Sequence, residues 1–338
     1  MNHKRMFARR IILLLGGILF AACTPTSPTT VPELPTSDLV LPSATLAPLP
    51  ATPVPPTATT PLVKIPAKYA HPEILVDAGW VADHLSDPTV RIVDAREPLE
   101  GALYQTGHIP GAVFVDIFSE LCCPSKIMAA QPFAELMGKL SIGDNTTVVV
   151  YDTDGGLWAA RLWWALKYYG HDDVKMLNGG LLQWVSNSHP LEAETPKVSP
   201  ETFHSKVQPQ WLATIDEVKK AIDDPDIVLL DALTLPNYLG DLDTYERPGH
   251  IATALSFPAP DTIDGVTRMV LSPEELSRML MRLNLDPEKR VITHCGGGYY
   301  GAHTAFVLYL MGFENVGLFE GSLMEWASDP SNPMEVEP

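Results

Sequence analysis

Cys295 is the residue whose setting best suits chemistry. It stands in Thr293-His294-Cys295-Gly296-Gly297-Gly298-Tyr299-Tyr300-Gly301-Ala302. The β-branched run Arg290-Val291-Ile292-Thr293-His294 precedes it, and an apolar helical run from Ala302 to Met311 follows. The order is buried strand, glycine-rich turn, helix. In open α/β sheets, ligands bind outside the carboxyl ends of the strands. A thiol placed there, just before a helix N-terminus, faces the positive end of the helix dipole, which favours the thiolate. Successive glycines let backbone N–H groups turn inward as an anion nest. The thiolate is the nucleophilic form of cysteine, so the loop suits covalent catalysis at sulfur. A His-Cys pair at a strand end also opens the phosphatase pattern Cys-x5-Arg. Here the sixth residue after Cys295 is Gly301 and the loop has no arginine, so the guanidinium that would clamp a phosphate is missing.

The elements that must position this loop occur twice. Gly107-His108-Ile109-Pro110-Gly111-Ala112 returns 142 residues later as Gly249-His250-Ile251-Ala252-Thr253-Ala254. Gly179-Gly180-Leu181-Leu182-Gln183-Trp184 returns at the same offset as Gly321-Ser322-Leu323-Met324-Glu325-Trp326. A fixed offset over several features marks a tandem duplication. Val90–Asp94, Thr147–Tyr151, Ile227–Asp231 and Arg290–His294 read as short buried strands. Ser272-Pro273-Glu274-Glu275 opens a helix, with a cap residue, then proline, then acids. Strands alternating with helices predict a mostly parallel sheet flanked by helices in each unit. The first unit has Tyr151-Asp152-Thr153-Asp154-Gly155-Gly156 where the second has His294-Cys295 and its glycines. It is therefore expected to be a silent copy, with Asp152 satisfying backbone donors.

Composition narrows the rest. The 338 residues allow about two domains of ordinary size. Residues 1–22 combine Lys4, Arg5, Arg9 and Arg10, the apolar run Ile11 to Phe20, and Ala21-Ala22 before Cys23. That is the order of a secretory signal, and a cysteine after Ala-Ala resembles a bacterial lipobox, which would make Cys23 the lipidated N-terminus. Its loss removes four of the 23 basic residues and none of the 41 acidic ones, taking net charge from −18 to −22. Such a field disfavours nucleic acid. Residues 24–62 hold eleven prolines and only two charges, the composition of a semi-rigid linker. The predicted layout is leader 1–22, linker 23–62, first unit 63–205 and second unit 206–338. The body is expected to be held at the membrane by its N-terminal anchor, extracytoplasmic (periplasmic or cell-surface).

With Asp94-Ala95-Arg96, the Gly-His-Ile repeats, Leu177-Asn178-Gly179-Gly180, Arg247-Pro248-Gly249-His250-Ile251 and His294-Cys295 in place, the chain resembles tandem-domain rhodanese-type sulfurtransferases over Tyr69 to Trp326. This group includes thiosulfate and 3-mercaptopyruvate sulfurtransferases. The resemblance implies that the Cys295 thiolate takes a sulfane sulfur from thiosulfate, 3-mercaptopyruvate or a polysulfide. The Cys295 persulfide would pass it to cyanide, sulfite or a thiol. N–H groups of the loop Gly296, Gly297, Gly298, Tyr299, Tyr300 and Gly301 would steady the persulfide, and no metal or organic cofactor is implied. The chain departs from the family at Asn237, where an arginine is common, at Leu233, the counterpart of Arg96, and in a loop without cations. Arg247 is then the nearby cation expected to meet a donor together with Asn237, and a less charged donor than thiosulfate is favoured. Tyr299 and Tyr300 would shape its pocket.

Asp231, His250, His294 and His303 read mainly as structural, and Arg161, Trp163 and Trp164 as packing between the units. Cys122-Cys123 is too small a set for a metal site. The alternative function is a catalytically weak protein that binds or senses sulfane sulfur or an anion; a third is storage of oxidised Cys295.

Overall fold

The computed structural model describes residues 65–97, 102–121 and 126–336, all within one unit, Ala58–Pro338. The leader, Cys23, the linker and Cys122-Cys123 lie outside the described residues.

In the first half, β1 (Leu75–Val76), β2 (Val90–Asp94), β3 (Val113–Phe114), β4 (Thr147–Tyr151) and β5 (Val174–Leu177) form a parallel sheet in the order β1-β5-β4-β2-β3. The second half contributes β6 (Ile227–Asp231), β7 (His250–Ile251), β8 (Leu255–Ser256), β9 (Arg290–His294), β10 (Val316–Leu318) and β11 (Met334–Glu335). Its parallel sheet runs β10-β9-β6-β8, while β7 and β11 pair antiparallel. A parallel bridge between Leu212 and Leu318 sits at the edge that β1 occupies in the first half. The central strands are near-continuous β-branched and aliphatic runs because both faces of such a sheet are covered by helices.

Two helices hold the halves together. Helix Ala159–Tyr168 and helix Tyr299–Leu310 are apolar almost all round and are buried over most of their length. The edge of Trp163 meets Phe306 at 5.2 Å and Trp211 at 5.5 Å, so one core spans both units. Residues before β1 also lean on the second unit. Ala70 N–H donates to the Leu310 carbonyl, the Tyr69 hydroxyl donates to Leu271, and Ser277 donates to the Ile65 carbonyl. Helix Pro273–Arg282 begins as its sequence suggests, with Ser272 and Glu275 forming a reciprocal capping box.

Candidate active site

Helix Tyr299–Leu310 starts three residues before the apolar run does. Gly298 takes a left-handed backbone, φ +85°, and serves as its N-cap. The turn folds residues 295–298 back so that the Gly298 N–H donates to Cys295 Sγ at 3.1 Å. The segment after β10 grips the loop from the other side. Cys295 N–H donates to Ser322 Oγ at 3.1 Å, and that hydroxyl donates to the Phe319 carbonyl. The Leu323 and Met324 N–H groups donate to the carbonyls of Cys295 and Gly296, both at 3.0 Å. Two glycines are sterically required. A Cβ at Gly296 would overlap the Tyr245 hydroxyl; one at Gly298 would lie 2.8 Å from the Glu320 carbonyl oxygen and 2.9 Å from the Arg161 guanidinium. Gly301 is in the first helical turn, where its carbonyl accepts from Thr293 Oγ1.

The first half has a related turn, one residue longer, with Gly155 and Gly156 both left-handed and a different occupant. Asp152 is fully buried, and its carboxylate accepts from the N–H groups of Asp154, Gly156, Trp158 and Ala159 at 2.8–3.0 Å. Its carbonyl accepts from Leu181 N–H at 2.9 Å, as that of Cys295 does from Leu323. Burial raises the Asp152 pKa, against the pull of these donors.

Cys295 is 3% exposed and lies in the wall of a cavity of about 350 Å³. Phe118 and Trp158 from the first half, Tyr245, Tyr299 and Tyr300 from the second, and Leu233, Thr234, Asn237, Gly296, Gly297 and Met324 complete the wall. The side-chain amide of Asn237 donates to Thr234 Oγ1 at 3.0 Å, and Asn237 Oδ1 has no partner among the described residues. Burial raises the phenol pKa values of Tyr245 and Tyr300, with the neighbouring Cys295 adding to the effect.

The expected meeting of Arg247 with the donor needs correction, since Arg247 is not in this wall. Its guanidinium donates to the carbonyls of Trp326, Ala327, Asp329 and Asn332 at 2.9–3.3 Å, tying down the segment after helix Ser322–Trp326. The other nearby cations are also paired. Arg161 is buried and donates to Glu320 at 2.7 Å and to the Gly298 carbonyl at 3.4 Å; Arg268 pairs with Asp154. Glu320 also accepts from the Ile127 N–H.

Behind the loop lies a buried pair. Asp231 and His294 stand opposite each other in the β6–β9 register, as Asp94 and Tyr151 do in β2–β4. Asp94 is satisfied by Arg96, at 2.5 Å, and by the Tyr151 hydroxyl, at 2.6 Å. Asp231 accepts from Leu233 N–H, but its Oδ2 lies 4.0 Å from His294 Nδ1 and has no hydrogen-bond partner among the described residues; nor has either His294 nitrogen. Burial pushes the Asp231 carboxyl up to about 7 and the His294 imidazole down to about 3. His303 is buried against Thr262 Oγ1 at 3.0 Å, and burial pushes it down to about 4. His250 stacks on Tyr238 and bonds its carbonyl.

Phe118, Trp158, Thr234, Tyr245 and Glu320 are among the contributors that sequence reasoning missed. They reach the loop across long stretches of chain and carry no local motif.

The rhodanese-like domain model matches residues 77–187 and 214–329. The chain belongs to the rhodanese family. Each match falls inside one of the duplicated units. Among rhodanese-type relatives, the chain is 34% identical to the sulfur carrier protein TtuD of Thermus thermophilus, over 77% of this chain and 95% of that protein. It is 31% identical to a thiosulfate sulfurtransferase of Corynebacterium glutamicum, over 80% of this chain and 92% of that protein. It is 31% identical to the 3-mercaptopyruvate sulfurtransferase of Homo sapiens, over 75% and 91%. The fold matches the crystal structure of an anaerobic ergothioneine biosynthesis enzyme from Chlorobium limicola, with a TM-score of 0.74, 24% identity, and coverage of 80% of this chain and 72% of that one.

Proposed function

We propose that this rhodanese is a sulfurtransferase that carries sulfane sulfur on Cys295. The observation that carries the reading is the pair of matched loops. The silent nest holds a carboxylate on four N–H groups, and the nest of the same design in the second half holds the Cys295 sulfur at the wall of a cavity. The named relatives, thiosulfate and 3-mercaptopyruvate sulfurtransferases and a sulfur carrier protein, support the same chemistry.

In the first step the Cys295 thiolate attacks the terminal sulfur of a donor X–S⁻. A new S–S bond forms to Cys295, the X–S bond breaks, and X leaves with the electron pair: R–S⁻ from a polysulfide, sulfite from thiosulfate, and the enolate of pyruvate, which takes a proton from water, from 3-mercaptopyruvate. In the second, a thiolate or cyanide attacks the terminal sulfur of Cys295–S–S⁻; the S–S bond breaks and the Cys295 thiolate returns. The charge on the outer sulfur is stabilised by main-chain N–H groups of the loop, and the two half-reactions predict ping-pong kinetics. The test is incubation with thiosulfate, 3-mercaptopyruvate and polysulfide in turn, then cyanide, with thiocyanate as the readout. Turnover with any donor, abolished in Cys295→Ser, supports the enzyme. A Cys295 persulfide that forms and is never discharged would support the binding or sensing reading instead.

Attachment of this body to a membrane through lipidated Cys23 belongs to the same proposal and rests on the leader sequence. Metabolic labelling with an alkyne fatty acid should mark the expressed protein, and Cys23→Ala should remove the label. Equal labelling of the variant would overturn it.

A further inference from the structure

The wall around Cys295 is aromatic on several sides. Phe118 stacks on Tyr299 with ring centroids 4.4 Å apart, and Trp158 lies 5.8 Å from both Tyr299 and Tyr300. Tyr245 closes the side over Gly296. These five rings come from both halves, and no charged side chain is among the described lining residues. The three arginines within reach are each engaged: Arg161 with Glu320, Arg268 with Asp154, and Arg247 with four carbonyls. A doubly charged donor such as thiosulfate entering here would give up water for main-chain N–H groups, ring faces and the neutral side chains of Thr234 and Asn237, with no cation in the described wall, which is costly. An apolar carrier group would gain by leaving water, and aromatic rings add offset-stacked or edge contacts. Burial raises the phenol pKa values of Tyr245 and Tyr300 further above their ordinary range, so these rings add no charge beside the Cys295 sulfur.

Building on the sulfur-transfer reading, we propose that the Cys295 cavity selects a sulfur donor whose sulfane sulfur is carried on an apolar, preferably aromatic, group, which the Phe118–Trp158–Tyr299–Tyr300 rings hold while the sulfur faces Cys295. The step balances as before. For an arenethiosulfonate Ar–SO2–S⁻, the Cys295 thiolate attacks the terminal sulfur, a Cys295–S–S⁻ bond forms, the S–S bond of the donor breaks, and Ar–SO2⁻ leaves with the electron pair.

The test uses the full chain and three donors: thiosulfate, methanethiosulfonate and benzenethiosulfonate. The last two carry the same single charge and differ in the group on sulfur. Persulfide formation on Cys295 is followed by mass, and each rate is divided by that of the same donor with a free small thiol, which removes intrinsic reactivity. The expected kcat/KM for benzenethiosulfonate exceeds that for methanethiosulfonate by at least about tenfold, with thiosulfate slowest. Trp158→Ala should narrow the ratio of the two thiosulfonates. Phe118→Ala, at a position 38% exposed on the rim, should narrow it in a variant that keeps its core. Benzyl alcohol should slow loading and choline should not. Equal rates for the two thiosulfonates, fastest loading by thiosulfate, a ratio unmoved in a folded variant, or competition by choline rather than benzyl alcohol would each overturn the proposal. Loading of Cys295 by the wrong donor leaves sulfur transfer standing; no loading by any donor defeats the underlying reading as well.

Discussion

At the end of β4, the Asp152 carboxylate takes four main-chain N–H groups. At the end of β9, the Cys295 sulfur takes the Gly298 N–H from a loop of the same design and borders an open cavity. The silent nest is filled by its own chain, and its hydrogen bonds hold the turn closed. The active nest holds a smaller acceptor, and its sulfur adjoins space for a second one. The same contrast recurs one layer deeper. Asp94 is satisfied by Arg96 and Tyr151, whereas Asp231 and His294 keep orphaned polar atoms. Orphaned buried atoms occur in both halves, His108 Nε2 and Trp163 Nε1 in the first among them; in the second, those of Asp231 and His294 lie directly behind the strand end that carries Cys295.

The copies are also joined, and breaking that joint should have the largest effect. Arg161 from the silent half is buried with Glu320 beside the active loop. Arg161→Met leaves a buried carboxylate unpaired and should cost about 3–5 kcal/mol in denaturant unfolding. Arg161→Met with Glu320→Gln should recover most of that loss; no recovery would mean that the ion pair is not the cause. Next, Asp152→Ala deprives four N–H groups, two of them buried, of their acceptor. A loss of about 3 kcal/mol in stability is expected, with thiocyanate formation per folded molecule unchanged. A loss of activity without loss of stability would contradict the assignment of Asp152 to structure. Gly298→Ala forces an L-residue into a left-handed turn 2.8 Å from a carbonyl oxygen. It should cost about 1–3 kcal/mol and slow Cys295 loading by at least about tenfold.

The contrast one layer deeper sets a pH dependence. The Asp231 carboxyl is pushed from 3.8 to about 7 by burial, so the folded chain holds its proton more tightly than the unfolded one. Stability from this group is full below pH 4 and is lost as pH rises through 7. His294, pushed from 6.5 to about 3, acts in the opposite sense, its contribution being lost as pH falls from 6.5 towards 3. Asp231→Asn isolates the first term. The melting temperature of the native chain relative to this variant should fall between pH 5 and pH 8; a constant difference would show that the carboxyl does not titrate in this window.

Much of the frame was legible in the sequence. The four central strands, the helix start at Ser272 and the duplication all rest on local sequence signals or a fixed offset, and these survive folding. The Cys295 loop was legible because strand, glycine turn and helix are consecutive in the chain. Its walls were not. Phe118 and Trp158 come from the other half, and Tyr245 reaches Gly296 from an irregular segment, so only the packed fold brings them together. Arg247 misled because residue type announces a charge but not its partners, and four carbonyls claim it. The helix start was placed late because the Tyr299-Tyr300 pair interrupts the apolar run, while the φ of Gly298 decides where the helix begins.

The central claim is that the nest of the second half holds sulfur where that of the first holds a carboxylate. The most direct test is the peptide mass of Cys295 after brief exposure of the intact chain to a sulfane donor, before and after cyanide. The account predicts one added sulfur atom on the Cys295 peptide, removed by cyanide with release of thiocyanate, and absent in Cys295→Ser. A folded chain with a free Cys295 thiol that acquires no sulfur from thiosulfate, 3-mercaptopyruvate, polysulfide or benzenethiosulfonate would contradict it.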